Sequence, residues 1–143
     1  MRRNKLALFL HLVWATWDRL PMLAPEIERA VHRCIAAEVG DIKGEVLALN
    51  GMPEHVHLVM RIPATVSVAD LVKQVKGGSS RFVNETLRPD SLFKWQGSYG
   101  AFTVGLGEID RVVEYVKHQK QHHAAAELWP EYEAAYEEYF DEP

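Results

Sequence analysis

The sequence has a single cysteine, Cys34, so no internal disulfide can form, and cytoplasm is the expected compartment. It has no apolar run approaching the roughly 18–20 residues that cross a bilayer, so no membrane partner is expected. The opening MRRNKLALFLHLVWATW starts like a secretion leader. It then runs through His11, Trp14 and Trp17 with no small-residue cleavage site, and it reads as a strand instead. A Gly-rich P-loop pattern is missing, and no nucleotide cofactor is expected. No linker, internal repeat or low-complexity stretch divides the 143 residues, which fit one domain. Positive charge is also scarce, with 16 Lys and Arg against 20 Asp and Glu, a net of −4. That total speaks against a nucleic-acid partner until its distribution is seen. All 16 basic residues and 13 of the acids precede residue 127, leaving residues 1–126 at +3 and an acidic, aromatic tail, residues 127–143, at −7. A body at +3 is a weak electrostatic footprint and does not by itself identify a DNA-binding protein.

The periodicities give a coarse order of elements. Residues 6–17 are apolar and aromatic and read as a buried strand. Pro25-Glu26-Ile27-Glu28 opens a helix that ends near Gly40, with Ile27, Val31, Cys34, Ile35 and Val39 on one face and Cys34 as packing. Residues 42–51 and His55 to Ile62 read as a hairpin, with Asn50-Gly51 starting the turn and Pro53 closing it. Ser67 caps a second helix from Val68 to Leu87, in which Gly77-Gly78 implies a kink or a close backbone approach. Residues 93–105 read as a fourth strand, 108–126 as a third helix, and the tail from Pro130 as a short amphipathic one. The β-α-β-β-α-β-α order predicts an α+β fold. It is a ferredoxin-like split βαβ antiparallel sheet with two helices on one face, plus a C-terminal helix and the acidic tail.

Two constellations carry chemistry. In the third strand, His55 and His57 are two apart and project from the same face, while Val56, Leu58 and Met60 point the other way. Two such imidazoles can hold one divalent metal with a third ligand from elsewhere. In the third helix, Tyr115 and Gln119 are one turn apart and share a face, with His118 and His122 beside them. A phenol near a metal-bound phosphate can attack phosphorus, because the metal offsets charge on the non-bridging oxygens. The third ligand is open between Gln119, His118 and His122. A three-histidine zinc site would instead indicate a metal-dependent hydrolase. Either constellation alone is more often structural.

Together with three further segments they resemble one family. His11-Leu12-Val13-Trp14-Ala15-Thr16 followed by Arg19-Leu20-Pro21, Glu54-His55-Val56-His57-Leu58, Lys76-Gly77-Gly78-Ser79-Ser80, Trp95-Gln96-Gly97-Ser98-Tyr99 and Tyr115-Val116-Lys117-His118-Gln119 occur in the family's order. The chain resembles the single-tyrosine HUH transposases, those of IS200-like small insertion sequences and their REP-associated relatives, from His11 to about His123. It departs from them at Trp17-Asp18, where the family often has a basic residue, and in its acidic tail.

The resemblance implies a transposase that nicks and rejoins single-stranded DNA at hairpin-flanked ends. Tyr115 would be the nucleophile and form a 5′-phosphotyrosine. His55, His57 and Gln119 would hold Mg2+ or Mn2+, and a homodimer would be the working unit. Lys73, Lys76, Arg81 and Lys117 are the candidate phosphate contacts. Trp95 and Tyr99 are read as core in preference to base-stacking platforms, and His11 as structural or as a support behind the histidine pair. A non-cleaving, domesticated hairpin-binding protein is the main alternative.

Overall fold

The computed structural model describes residues 3–124; the acidic tail, with its expected helix, lies outside the described residues. Four strands, β1 (Phe9–Ala15), β2 (Glu45–Met52), β3 (His55–Arg61) and β4 (Gly100–Val104), form a sheet in the order β2-β3-β1-β4. All neighbours are antiparallel. Helix α1 (Pro25–Asp41) connects β1 to β2, and α2 (Val68–Phe82) connects β3 to β4. Each crossover therefore skips a strand, which is the split βαβ arrangement the sequence predicts.

Alternation along β1 and β3 gives the sheet two different faces. Leu10, Leu12 and Trp14 of β1 and Val56, Leu58 and Met60 of β3 pack with Val31, Ile35 and Val39 of α1 and Leu71, Val72 and Val75 of α2. This is the main core, and truncating a buried leucine such as Leu12 or Leu58 to alanine would cost about 2–5 kcal/mol. On the opposite face Phe9, Ala48 and Val59 meet Ile109, Val112, Tyr115 and Val116 of α3 (Ile109–Lys117). A short helix, α4 (Gln119–Ala124), follows.

Local chemistry accounts for the ends of the elements. Pro25 occupies the first turn of α1, with Glu26 and Glu28 beside it. The Ser67 hydroxyl accepts from the Asp70 N–H at 3.1 Å and caps α2. Gly77-Gly78 does not kink α2, which continues through both residues. At Gly78 the helices approach closely, and a Cβ there would displace the Glu38 side chain of α1, whereas Gly77 has open space around it. The expected helix to Leu87 changes character at its end, where residues Val83–Leu87 form a π-helical turn.

The hairpin turn lies elsewhere than Asn50-Gly51. Both residues belong to β2, opposite His57 and Val56, and the connection is only Pro53 and Glu54. Gly51 is needed within the strand because a Cβ there would run into the backbone carbonyl of His55. The expected strand over 93–105 is ordered as strand only at Gly100–Val104. Before it, Trp95 forms an isolated bridge with Thr16, and its side chain packs edge-on against Trp14 and Phe93. The expected single helix over 108–126 is broken at His118, whose φ of −104° and ψ of 25° end α3. Among the described residues no helix is long and apolar enough to cross a membrane.

Candidate active site

The β3 register puts His55 and His57 on the α3 face of the sheet. Their cross-strand neighbours on β1 are Ala15 and Val13. Both histidines are almost completely buried, at 1% and 0% exposure. Their ring centroids are 5.0 Å apart, with planes inclined by 72°. Such burial is costly for imidazoles unless polar partners surround them.

Each ring is held at its Nδ1. His55 Nδ1 lies 3.1 Å from Glu54 Oε1, and this hydrogen bond holds the Glu54 carboxyl below its usual range. His57 Nδ1 lies 2.9 Å from Nε2 of His11, which is itself fully buried on β1. Glu54 is fixed in turn, because its carbonyl accepts from the Thr16 N–H at 2.9 Å and the Thr16 hydroxyl at 3.2 Å. An imidazole held at Nδ1 by such a partner is oriented to present its Nε2. Glu54 is not among the residues that the sequence pattern singles out. A carboxylate one residue before the first histidine was the available signal. The His11 contact depends on the β1–β3 register, which no local motif reveals.

Above the pair stands α3. The Tyr115 ring is 2% exposed and meets the His57 ring edge-on, with centroids 6.3 Å apart. His122 of α4 stacks on Tyr115 with centroids 4.5 Å apart and planes inclined by 19°. His123 lies over His55 at 5.0 Å. Gln119 is fully buried in the first turn of α4. The break at His118 redirects the chain here. His118 itself faces out, and its Nδ1 lies 2.9 Å from the Glu114 carbonyl. It does not share the Tyr115 face as continuous helical spacing predicted.

The sheet edge anchors that break. Asn50 Nδ2 donates to the Lys117 carbonyl at 3.0 Å, capping the end of α3. Lys120 Nζ donates to Asn50 Oδ1 at 2.8 Å and to the Gly51 carbonyl at 3.0 Å, and pairs with Glu28 of α1 at 3.0 Å. Asn50, Glu28 and Lys120 were absent from the sequence-based candidates.

The side chains gathered here could hold a divalent cation. The imidazoles of His55 and His57 and the amide of Gln119, all buried, offer nitrogen and oxygen donors from β3 and from the helix above it. Among the described residues no group of three His, Cys, Asp or Glu is placed to hold a metal ion, so the three-histidine alternative finds no such group there.

The candidate phosphate contacts do not form one patch. Lys73 and Arg81 are exposed on α2 and line a cleft of about 360 Å³ with Glu38, Asp70 and Gln74. Lys117 is exposed at the end of α3, on the opposite side of the sheet. Lys76 turns inward, its ammonium donating to the carbonyls of Gln96 at 2.5 Å and Ser98 at 3.2 Å. Burial pushes its pKa down to about 8. Trp95 is 5% exposed, and its indole N–H donates to Ser79 Oγ at 2.9 Å. Tyr99 packs against the main core.

Comparison with known proteins identifies the family. Residues 4–119, a span that includes His11, both histidines of β3, Tyr115 and Gln119, match the family model described as "Transposase IS200 like". The ISDra2 transposase TnpA of Deinococcus radiodurans is 31% identical over 117 residues, covering 76% of this chain and 81% of that protein. A crystal structure of a candidate transposase from Deinococcus radiodurans R1 superposes with a TM-score of 0.65 at 26% identity, covering 83% of this chain and 96% of the other. A REP-associated tyrosine transposase, solved bound to a REP hairpin, superposes with a TM-score of 0.65 at 14% identity, covering 91% of this chain and 81% of that one; at this identity the likeness carries the fold.

Proposed function

This chain belongs to the IS200-like transposase family, and on that premise we propose that it nicks and rejoins single-stranded DNA at hairpin-flanked ends with Tyr115 as its nucleophile. The observation that carries the reading is the placement of the Tyr115 ring against His57 in a buried site that also receives Gln119. Tyr115 Oη attacks the scissile phosphorus, the bond from phosphorus to the 3′ oxygen breaks, and the 5′ side is retained as a phosphotyrosine. The phenolic proton is released and the departing oxygen leaves as a 3′-OH. The 3′-OH of a second strand end then attacks the phosphotyrosine and restores the phenol. Bond energy is retained through the exchange, so no nucleotide is consumed.

His55, His57 and Gln119 would hold Mg2+ or Mn2+, which when bound offsets negative charge on the scissile phosphate. The chain's own side chains do the remaining work. Glu54 and His11 orient the two imidazoles. His122 restricts the Tyr115 ring by stacking on it. The Asn50–Lys120 contacts fix the turn that carries Gln119. Lys73, Arg81 and Lys117 are proposed as phosphate contacts, and Lys76 as the tie that holds the 96–98 segment to α2. A hairpin in the DNA partner is supported by the REP hairpin of the structural relative, and a homodimer is part of the proposal.

The test is covalent trapping. The wild type should form a denaturant-stable adduct with a labelled single-stranded hairpin substrate in Mg2+ or Mn2+, and Tyr115→Phe should form none. Cleavage by the Phe variant would sink the tyrosine mechanism. Hairpin binding without any adduct in the wild type would favour the non-cleaving alternative.

A further inference from the structure

The contact between His11 and His57 has a direction that metal binding decides. An imidazole can ligate through Nε2 only if that atom carries a lone pair, so the neutral ring must hold its proton on Nδ1. His57 Nδ1 is 2.9 Å from His11 Nε2, and the two rings are inclined by 22° with centroids 5.1 Å apart, an angle compatible with an N–H···N bond between the ring edges. If His11 donates, the His57 proton sits on Nε2 and that nitrogen is closed to a metal. If His57 donates, Nε2 is open, and the neutral His11 carries its own proton on Nδ1.

We infer that His11 is a positioning residue that accepts the Nδ1–H of His57 and so holds His57 in its metal-competent tautomer and orientation. The inference rests on the reading of His55 and His57 as metal ligands. The register explains how His11 reaches this place. His57 lies opposite Val13, and His11 is two residues along β1 on the same face, a diagonal neighbour within reach of a ring. Its complete burial would be an expensive place for an imidazole with no polar duty. The two ligands are thus supported differently: a carboxylate serves His55, and a neutral imidazole serves His57. Partners of this kind typically change metal affinity by about 10–100-fold when lost.

The experiment titrates the metal-free protein with Mn2+ alone, following free Mn2+ by electron paramagnetic resonance, for wild type, His11→Phe, His11→Gln and His57→Ala. His11→Phe keeps a ring of similar size without the acceptor and should weaken binding about 10-fold or more, while His11→Gln, whose amide oxygen can accept, should recover most of the loss. Side-chain 15N spectra of the Mg2+-saturated wild type should show His57 protonated at Nδ1. A folded His11→Phe variant that binds Mn2+ within about twofold of wild type would overturn the inference, as would failure of His11→Gln to recover binding. A His57 proton on Nε2 in the loaded wild type would overturn it even if His11→Phe does not fold. Unchanged Mn2+ binding in His57→Ala would instead remove the metal-ligand reading beneath it.

Discussion

Tyr115 and His57 meet within one chain, their rings edge to face with centroids 6.3 Å apart, although 58 positions separate them in sequence. The proposed nucleophile and a proposed metal ligand therefore lie within one chain. An equimolar mixture of Tyr115→Phe and His57→Ala chains should yield no covalent DNA adduct, because neither chain holds a complete site. Recovery of adduct in the mixture would mean that the tyrosine helix is exchanged between subunits.

The break at His118 separates two candidates for the third ligand. Gln119 is fully buried, whereas His118 has a side chain 54% exposed and lies against the Glu114 carbonyl. Gln119→Ala should weaken Mn2+ binding by at least the roughly 10–100-fold expected for losing a supporting partner. His118→Ala should leave it unchanged. Calorimetric titration of both variants decides between them, and the reverse pattern would move the ligand to His118.

Asn50 and Lys120 hold the end of α3 and the start of α4 against the β2 edge. Asn50→Ala should cost about 1 kcal/mol of stability, since its hydrogen bonds are partly exposed. The expected effect on adduct formation is larger, falling mainly on the rate at saturating DNA, because Gln119 would lose its fixed position. A rate unchanged within error, measured alongside a small drop in thermal midpoint, would reduce the contact to a structural one.

Trp95 belongs to the motif segment that could serve a base, yet its ring lies between Trp14 and Phe93 and its N–H is committed to Ser79. Trp95→Phe should destabilise the fold by roughly 1–3 kcal/mol through the lost hydrogen bond and the space left. Hairpin affinity, read by fluorescence anisotropy under conditions where the variant is folded, should not change.

Lys76 gives the stability a signature in alkali. Its folded pKa is pushed to about 8 by burial, below the 10.5 of an unburied lysine. Between those values the native chain has shed the proton and the unfolded chain still binds it, so stability rises with pH across that window. Relative to Lys76→Met, the urea midpoint of the wild type should therefore increase from pH 7.5 to pH 9.5 (roughly the span of the titration). The opposite slope would mean that the Gln96 and Ser98 carbonyls favour the charged amine more than burial disfavours it.

What the sequence disclosed followed from short-range periodicity. Alternation in His55-Val56-His57-Leu58 assigned the histidines and the core residues to opposite faces, and the structure has them so. The split βαβ order emerged from the same patterns. Readings that required knowledge of distant neighbours did not emerge. Asn50-Gly51 resembles a turn by composition, but its place is set by pairing with β3, and the turn lies three residues along, at Pro53-Glu54. Helical periodicity cannot register a break at His118 that is stabilised by Asn50 from a strand 67 residues away. Lys76 looked like a surface cation because nothing nearby in sequence predicts two carbonyls from the 96–98 segment beside it.

The Pro53-Glu54 connection imposes a parity rule on the whole molecule. Only two residues join β2 to β3, and their carbonyls are already bonded to Leu23 and Thr16. If an inserted residue were taken up by the strand and not by the turn, β3 would slip one position in register and every side chain of the strand would turn over. Both imidazoles would enter the hydrocarbon beneath α1 and α2, and Val56 and Leu58 would face the tyrosine. The proposed metal site and the hydrophobic core would then fail together, so an insertion here is tolerated only where the turn absorbs it and the register of β3 is kept.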